Sequence, residues 1–144
     1  MRPIFTFWSF TPLTWLERLC LSSWVAAGHP VHLYAYEDIS NLPPGVALKD
    51  ASHVVRRDLM ERYRNARRFT LFSDIFRYHG LAQQRGIWCD TDVLLLRSLN
   101  DMGELILGWE DEKLVGSAVL LMPPDCPFIE SMCQISTARV PLPI

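Results

Sequence analysis

The chain has 144 residues, of which 49% are hydrophobic and 21% charged, and its formal net charge is -2. This length and composition predict one globular domain over residues 1–144 and exclude disordered, collagen-like and coiled-coil classes. A net charge so close to zero gives no reason to expect nucleic acid or an anionic membrane as a partner.

Cysteine spacing and hydropathy indicate the compartment. The four cysteines form neither a CxxC pair nor a dense framework, which predicts free thiols in a reducing environment. Residues 19–36 contain no Asp, Glu, Lys or Arg, but Gly28 and Pro30 interrupt them, so a helix followed by a strand explains them better than a membrane span. The amino terminus has no signal-peptide pattern. We therefore expect a cytoplasmic protein without a transmembrane segment.

The first 36 residues predict a β-α-β unit. Residues 4–8 are apolar and β-prone, and Thr14 to Glu17 fits a capping box that begins a helix. We expect the helix to end at Gly28, and the branched and aromatic residues 31–36 to form a second strand. Such a crossover favours parallel pairing of the two strands.

Further alternating elements predict an α/β fold. Residues 50–68 are polar and expected to be partly helical, whereas residues 70–84 have clear helical spacing and end before Gly86. Residues 87–96 are expected to be largely strand. The remaining predicted elements are strands at 105–109 and 114–122 and a helix that begins near Asp125. The chain ends on the apolar run 140–144, as a longer polypeptide would if it were cut.

Two carboxylates, Asp90 and Asp92, stand two positions apart where an apolar strand meets its loop. On a strand they would face the same way, and their mutual repulsion would be relieved by a divalent cation. Oxygen ligands suit magnesium or manganese, which keep positions open for water and substrate phosphates. The pair therefore predicts a metal site that takes a nucleotide diphosphate, with a solvated turn as the alternative, because a bare D-x-D also occurs by chance.

The preceding helix carries Ser73, Asp74 and Arg77, and the last two project from one face. A local ion pair is the simplest interpretation. Arg77, however, lies in the middle of an otherwise apolar helix rather than at a wet end. A buried Asp and Arg require partners, and sugar hydroxyls and a diphosphate would supply them.

The segments Phe72 to Tyr78 and Gly86 to Asp92 resemble the S-D-x-x-R-Y and G-G-x-Y-x-D-x-D signature of the glycosyltransferase sugar-binding region containing the DxD motif. That family includes yeast-type initiating mannosyltransferases and bacterial capsular polysaccharide transferases. It is similar to the catalytic domain of the large clostridial glucosylating toxins. The resemblance runs from Ile4 to about Leu121.

The resemblance implies a GT-A fold, with a Rossmann-type nucleotide-binding sheet flanked by helices. It also implies sugar transfer with retention of anomeric configuration, in polysaccharide or glycoconjugate synthesis. The donor would be a nucleotide-diphosphate sugar, the cofactor Mn²⁺ or Mg²⁺, and the acceptor a glycan, lipid or protein. Nothing in the sequence favours a particular oligomeric state.

The same resemblance implies roles for the matching positions. Trp8 would stack near the nucleotide base, Asp74 and Arg77 would hold the donor sugar, and Asp90 would contact ribose or sugar. Asp92 would coordinate the metal, with Asp90 as a second candidate ligand. The candidate catalytic residues are thus Asp74, Arg77, Asp90 and Asp92, and the candidate donor-binding residues are Trp8, Ser73, Asp74, Arg77, Trp88, Asp90 and Ser117.

The chain departs from the family pattern at several points. Trp88 stands in place of the usual Tyr, which would replace a phenolic hydrogen bond to phosphate by an indole N–H. Arg85 stands where a first Gly is frequent, and Ser117 lies where an Asn pair is common. The carboxy-terminal segment of the family has no counterpart, so we expect a domain that is incomplete at that end.

Two other functions stay open. A haloacid-dehalogenase-like phosphohydrolase also uses a D-x-D at a strand end, but it requires the motif early in the domain and a downstream acidic pair. A noncatalytic domain that binds a nucleotide sugar, or serves only in interactions, is the other alternative.

Overall fold

A computed structural model describes residues 1–9 and 11–138, in which six strands form one sheet flanked by helices. The strands are β1 (Ile4–Phe7), β2 (Val31–Ala35), β3 (Val46–Asp50), β4 (Ile87–Cys89), β5 (Ile106–Trp109) and β6 (Val115–Leu121). The helices are α1 (Trp15–Ala26), α2 (Arg57–Asn65), α3 (Phe69–Ala82) and α4 (Pro127–Ala138), with a short 3-10 turn at Ala51–His53.

The sheet has the strand order β3-β2-β1-β4-β6-β5. The first four strands in that order are mutually parallel, whereas β6 is antiparallel to both of its neighbours. In the first crossover, Ile4 lies opposite Val31 and Phe7 opposite Tyr34. The predicted α/β class and the predicted parallel β-α-β unit are therefore confirmed.

Helix α1 begins at the predicted capping box. The Thr14 side chain accepts from the Leu16 N–H at 3.3 Å, and the Thr14 N–H donates to the Glu17 carboxylate at 2.7 Å. The helix ends just before Gly28, whose φ of 84° lies in the left-handed region that favours glycine. Within residues 1–9 and 11–138, no helix has the length and apolar character that a membrane crossing requires. All four cysteines are free thiols.

Hydrophobic cores lie on both faces of the sheet. Helices α2, α3 and α4 cover one face and α1 covers the other. The first core is strongly aromatic, since the Phe7 ring stacks on Phe76 at 4.7 Å between centroids and meets Phe72 edge-on at 5.4 Å. Gly80 lets α3 approach β1, because a Cβ at that position would overlap the Phe5 ring. This packing fixes α3 beside β1 and β4.

The prediction that residues 87–96 are largely strand is wrong, because β4 ends at Cys89. The apolar residues that follow dock on α1 instead of pairing with a strand. The Trp24 indole N–H donates to the Val93 carbonyl at 2.7 Å, and the Leu95 N–H donates to the Ser23 hydroxyl at 3.0 Å.

Residues 50–68 are partly helical as predicted, but they follow an edge strand, β3, that the local pattern does not indicate. Residues 139–144, which include the apolar run at the chain end, lie outside the described part of the structure.

Candidate functional site

The candidate site lies at the carboxyl end of β4, between α3 and β6. Arg77 is in the middle of α3, and only 6% of the residue is exposed, as its apolar helical setting predicts. Strand β6 pairs with β4 through Trp88 opposite Leu120, and the Asp90 N–H donates to the Ala118 carbonyl at 2.8 Å. This pairing brings the end of β4 and the start of β6 to the same face of α3.

Arg77 joins three elements through its guanidinium. One terminal nitrogen, Nη1, donates to Asp74 Oδ1 at 3.0 Å and to Ser117 Oγ at 2.7 Å. The other, Nη2, donates to Asp90 Oδ1 at 2.8 Å. Charge-assisted hydrogen bonds of this length are the strong class, and the rigid fork of arginine sets their directions. The structure therefore brings Asp74, Arg77, Asp90 and Ser117 into one network.

Trp88, on β4, belongs to the same network. Its indole N–H donates to Asp90 Oδ1 at 2.7 Å, and the Arg77 guanidinium carbon lies 5.1 Å from the centre of the ring. Trp88 is 1% exposed. A guanidinium over a desolvated tryptophan ring is stabilised by roughly 2 kcal/mol. The N–H that the resemblance assigns to a phosphate is thus engaged by a carboxylate in this arrangement.

The electrostatic setting of Asp74 is mixed. Burial raises the pKa of Asp74 above its ordinary value, Arg77 opposes that effect, and the nearby negative charge of Asp90 adds to it. Burial likewise raises the pKa of the Tyr78 hydroxyl, again against the influence of Arg77. Both groups therefore bind or retain a proton more readily than they would in water.

The prediction that the strand continues through Asp90 and Asp92 is wrong, although the two acids do lie where β4 meets its loop. The chain turns at once after β4, and the Val93 N–H donates to the Asp90 carbonyl at 3.0 Å. Asp90 forms an ion pair with Arg77, whereas Asp92 is exposed. The pKa of Cys20, on α1, is raised first by burial and then by the charge of Asp92. The two acids thus have different surroundings.

The donor set fits a cation that receives most of its ligands from substrate and water. Among the described residues, no group of three or more His, Cys, Asp or Glu side chains could hold a metal by itself. The Asp92 carboxylate, however, makes no hydrogen bond or ion pair with that part of the chain, and Asp90 is bonded there through Oδ1 alone. Magnesium is commonly bound by one or two carboxylates together with substrate phosphates.

The remaining predicted residues lie outside the network. Ser73 is half-buried on α3, and none of the hydrogen bonds around Arg77 involves it. Trp8 follows β1, packs with the core on the α1 side of the sheet, and donates its indole N–H to the Thr11 carbonyl at 2.8 Å. Among the described residues, neither side chain forms a hydrogen bond with another candidate residue.

A cavity of about 190 Å³ adjoins the network, and some of the residues that line it were not predicted from the sequence. Asp74, Arg77 and Ser117 line it together with Tyr78 and with Met132 from α4. Tyr78 directly follows Arg77 in the family-like segment, which is a signal that could have indicated it. The α4 contribution depends on packing between distant segments and has no local signal.

Comparisons with known proteins bear on the fold. No family model matches the chain, and no curated protein matches it. Among solved structures, the chain is similar to one titled PaToxG glycosyltransferase, with a TM-score of 0.71 and 10% sequence identity. The match covers 95% of this chain and 59% of that one, so this chain spans less than two thirds of its structural neighbour. The likeness shows the fold, and it confirms the predicted GT-A-like arrangement of a mostly parallel sheet flanked by helices.

Proposed function

We propose that this chain is the nucleotide-sugar-binding part of a metal-dependent, retaining glycosyltransferase. The donor is a nucleotide-diphosphate sugar, and the acceptor is a hydroxyl of a glycan, lipid or protein in polysaccharide or glycoconjugate synthesis. The observation that carries the proposal is the network around Arg77, which gathers two carboxylates and a hydroxyl at the carboxyl end of β4. Ligands of open α/β sheets bind at this end of the strands.

The chain's own residues would bind and orient the donor. Asp74 Oδ1 and Asp90 Oδ1 accept from Arg77, which leaves the second oxygen of each carboxylate for sugar or ribose hydroxyls. Arg77 carries the positive charge nearest to them and would contribute to holding the diphosphate. Groups that are already in place would hold the donor in one geometry while its diphosphate leaves. Such preorganisation supplies much of the rate acceleration in enzyme active sites.

Asp92 would hold the manganese or magnesium ion, whose other ligands would come from the diphosphate and water. Such an ion supplies the positive charge that neutralises a departing diphosphate. Asp92 suits this role because it is exposed and its charge is not offset by any ion pair in the described residues.

The experiment is a thermal-shift screen of nucleoside diphosphates and nucleotide sugars, each with and without manganese chloride. A ligand that binds only the folded chain raises its apparent stability, by about 2.7 kcal/mol at a concentration of one hundred times its Kd. We expect at least one nucleotide to stabilise the chain in the presence of manganese. If no nucleotide does so, the proposed function is wrong.

Asp92→Asn separates the metal from the nucleotide. We expect this variant to lose the manganese-dependent part of the shift. Asp101→Asn, at another exposed acid, is the matched control and should keep it. Equal manganese dependence in both variants would contradict the assignment of Asp92 while leaving nucleotide binding intact.

A noncatalytic nucleotide-sugar-binding domain is the second candidate. The observation that favours it is that Gly116 and Ser117 stand where the family commonly has an Asn pair, and that the Ser117 hydroxyl is already bonded to Arg77. Donor hydrolysis or transfer to added acceptors separates the candidates, because a noncatalytic domain would bind the nucleotide sugar and leave it intact.

A further inference from the structure

We propose that Trp88 is a positioning residue of this site, which orients Asp90 and Arg77 and does not itself contact the diphosphate. The proposal rests on the proposed function, because it assigns how a donor-binding carboxylate is held. It changes the role that the resemblance implies for this position, where the indole N–H would take the place of a tyrosine hydroxyl on phosphate.

The indole has one hydrogen-bond donor, and Asp90 occupies it. Trp88 Nε1 lies 2.7 Å from Asp90 Oδ1, and the residue is 1% exposed. The indole nitrogen can donate one hydrogen bond and accepts none, so it has no second bond to offer to a phosphate. Contact with a phosphate would require the loss of this bond and the entry of a charged group into a core that excludes water, which is destabilising.

Two donors converge on a single oxygen of Asp90. Arg77 Nη2 donates to Oδ1 at 2.8 Å, and the Trp88 N–H donates to the same atom. This arrangement fixes the rotation of the carboxylate plane, so the direction of Oδ2 is set before any ligand arrives. Preorganisation of this kind improves binding because the ligand does not have to order the group itself.

The ring of Trp88 is itself held firmly. Its backbone pairs with Phe5 of β1 on one side and Leu120 of β6 on the other. Its ring meets the Phe5 ring edge-on at 5.3 Å between centroids. The Arg77 guanidinium also lies over the ring. Trp88 thus transmits the rigid position of the sheet to both charged groups.

A double-mutant cycle tests the proposal. The dissociation constants of UDP, GDP, ADP and CDP are measured in the presence of manganese chloride for four proteins, and the tightest-binding diphosphate is followed. The four are the wild type, Trp88→Phe, Asp90→Ala and the double variant. Phenylalanine keeps an aromatic ring at the position but removes the N–H.

We expect Trp88→Phe to weaken diphosphate binding roughly tenfold in the wild-type background, since a hydrogen bond to an ionised group is worth about that factor. In the Asp90→Ala background the same change should have no effect, because Trp88 acts through Asp90. The cavity left by the smaller ring is present in both backgrounds, so an effect of packing alone would persist in both.

Three results would overturn the proposal. Equal weakening in both backgrounds would mean direct contact with the diphosphate or a packing effect. An unchanged Kd in Trp88→Phe would mean that the indole N–H orients nothing the ligand uses. Absence of diphosphate binding by the wild type would overturn the proposed function and this role with it.

Tyr36→Phe is the control for loss of a buried aromatic donor elsewhere. The Tyr36 hydroxyl donates to the Val55 carbonyl at 2.6 Å, two strands away from Trp88 across the sheet. We expect this variant to lose stability without a change in Kd. A loss of binding equal to that of Trp88→Phe would show that any weakening of this core has the same effect, and it would count against the positioning role.

Discussion

Replacement of Arg77 by methionine tests the charge network directly. The Arg77 side chain is 8% exposed, whereas its partners Asp74 and Asp90 are 47% and 31% exposed. Methionine keeps much of the apolar stem but removes the guanidinium, so two neighbouring carboxylates lose their common counter-charge. The variant therefore removes the electrostatic part of the interaction together with the packing of the guanidinium on Trp88.

The size of the effect follows from these exposures. Breaking a fully buried ion pair destabilises a protein by about 3 to 5 kcal/mol, and breaking an exposed pair by about 0 to 1 kcal/mol. Here the cation is buried and both anions are partly in water, which places the loss between these limits. We expect the free energy of unfolding of Arg77→Met to fall by about 2 to 3 kcal/mol.

The assay is urea unfolding followed by tryptophan fluorescence. Arg56→Met is the control, since Arg56 and Asp58 form an ion pair whose side chains are 83% and 55% exposed. We expect the control to change stability by less than about 0.5 kcal/mol. A similar loss in both variants would show that Arg77 has no special role.

A triple variant then separates stranded charge from lost packing. If the loss comes mainly from uncompensated carboxylates, Arg77→Met combined with Asp74→Asn and Asp90→Asn should recover about half of it. A triple variant that is as unstable as the single one would refute the electrostatic reasoning.

Three further predictions concern the surrounding fold, each measured by urea unfolding. Gly80→Ala should destabilise the chain by about 1 to 3 kcal/mol, since the new Cβ would overlap the Phe5 ring, while Gly103→Ala, with no atom within 4 Å, should not. Burial lowers the pKa of His79 below 6.5, so the unfolded chain binds a proton that the folded chain does not, and stability falls as pH drops below 6.5. Burial also lowers the pKa of His32, so His79→Leu should show a smaller decline instead of none, and a pH dependence equal to that of the wild type would show that His79 does not contribute. Thr14→Ala should lower stability by about 1 kcal/mol through loss of the helix cap, and a change of only a few tenths would show that the capping box contributes little.

Local patterns predicted the elements whose signals are contained within a few residues. The capping box at Thr14, the helix that ends before Gly28 and the amphipathic α3 are all of this kind. The burial of Arg77 was also predictable, because its neighbours on the helix are apolar residues that pack against the core. These parts of the fold were confirmed because tertiary contacts act in the same direction as the local preference.

The parts that were predicted wrongly depend on contacts between distant residues. Residues 93–96 are apolar enough for a strand, but Trp24 and Ser23, about seventy positions earlier, bind their backbone instead. Leu99 is held in the same way, through its N–H and the His29 ring at 2.9 Å. In the described part of the chain, β3 pairs with β2 alone and only Val46 and Leu48 pack against the core, so it lacks the continuous apolar run that marks an inner strand of a parallel sheet.

The same limit applies to the site. The sequence was enough to predict that Asp74 and Arg77 lie close together, because residues three positions apart on a helix are neighbours on its surface. It could not show that Asp90 shares one oxygen between Arg77 and Trp88, since that depends on how β4, β6 and α3 pack. Asp90 and Asp92 have different surroundings because the chain turns at Asp90. The sequence predicts a continued strand and therefore does not indicate this difference.

A purely structural purpose explains the network around Arg77 poorly. A buried ion pair is often no better for stability than well-packed apolar residues of similar volume, so a site selected for stability alone would favour such residues. Here one guanidinium binds side chains from α3, the end of β4 and β6, and each carboxylate keeps an oxygen that the described residues leave unbonded. Polar groups that are fixed in direction but not fully satisfied are what a ligand rich in hydroxyls and phosphates requires. In the proposed function, the exposed Asp92 is the candidate ligand for the cation, and the Asp92→Asn variant tests that role.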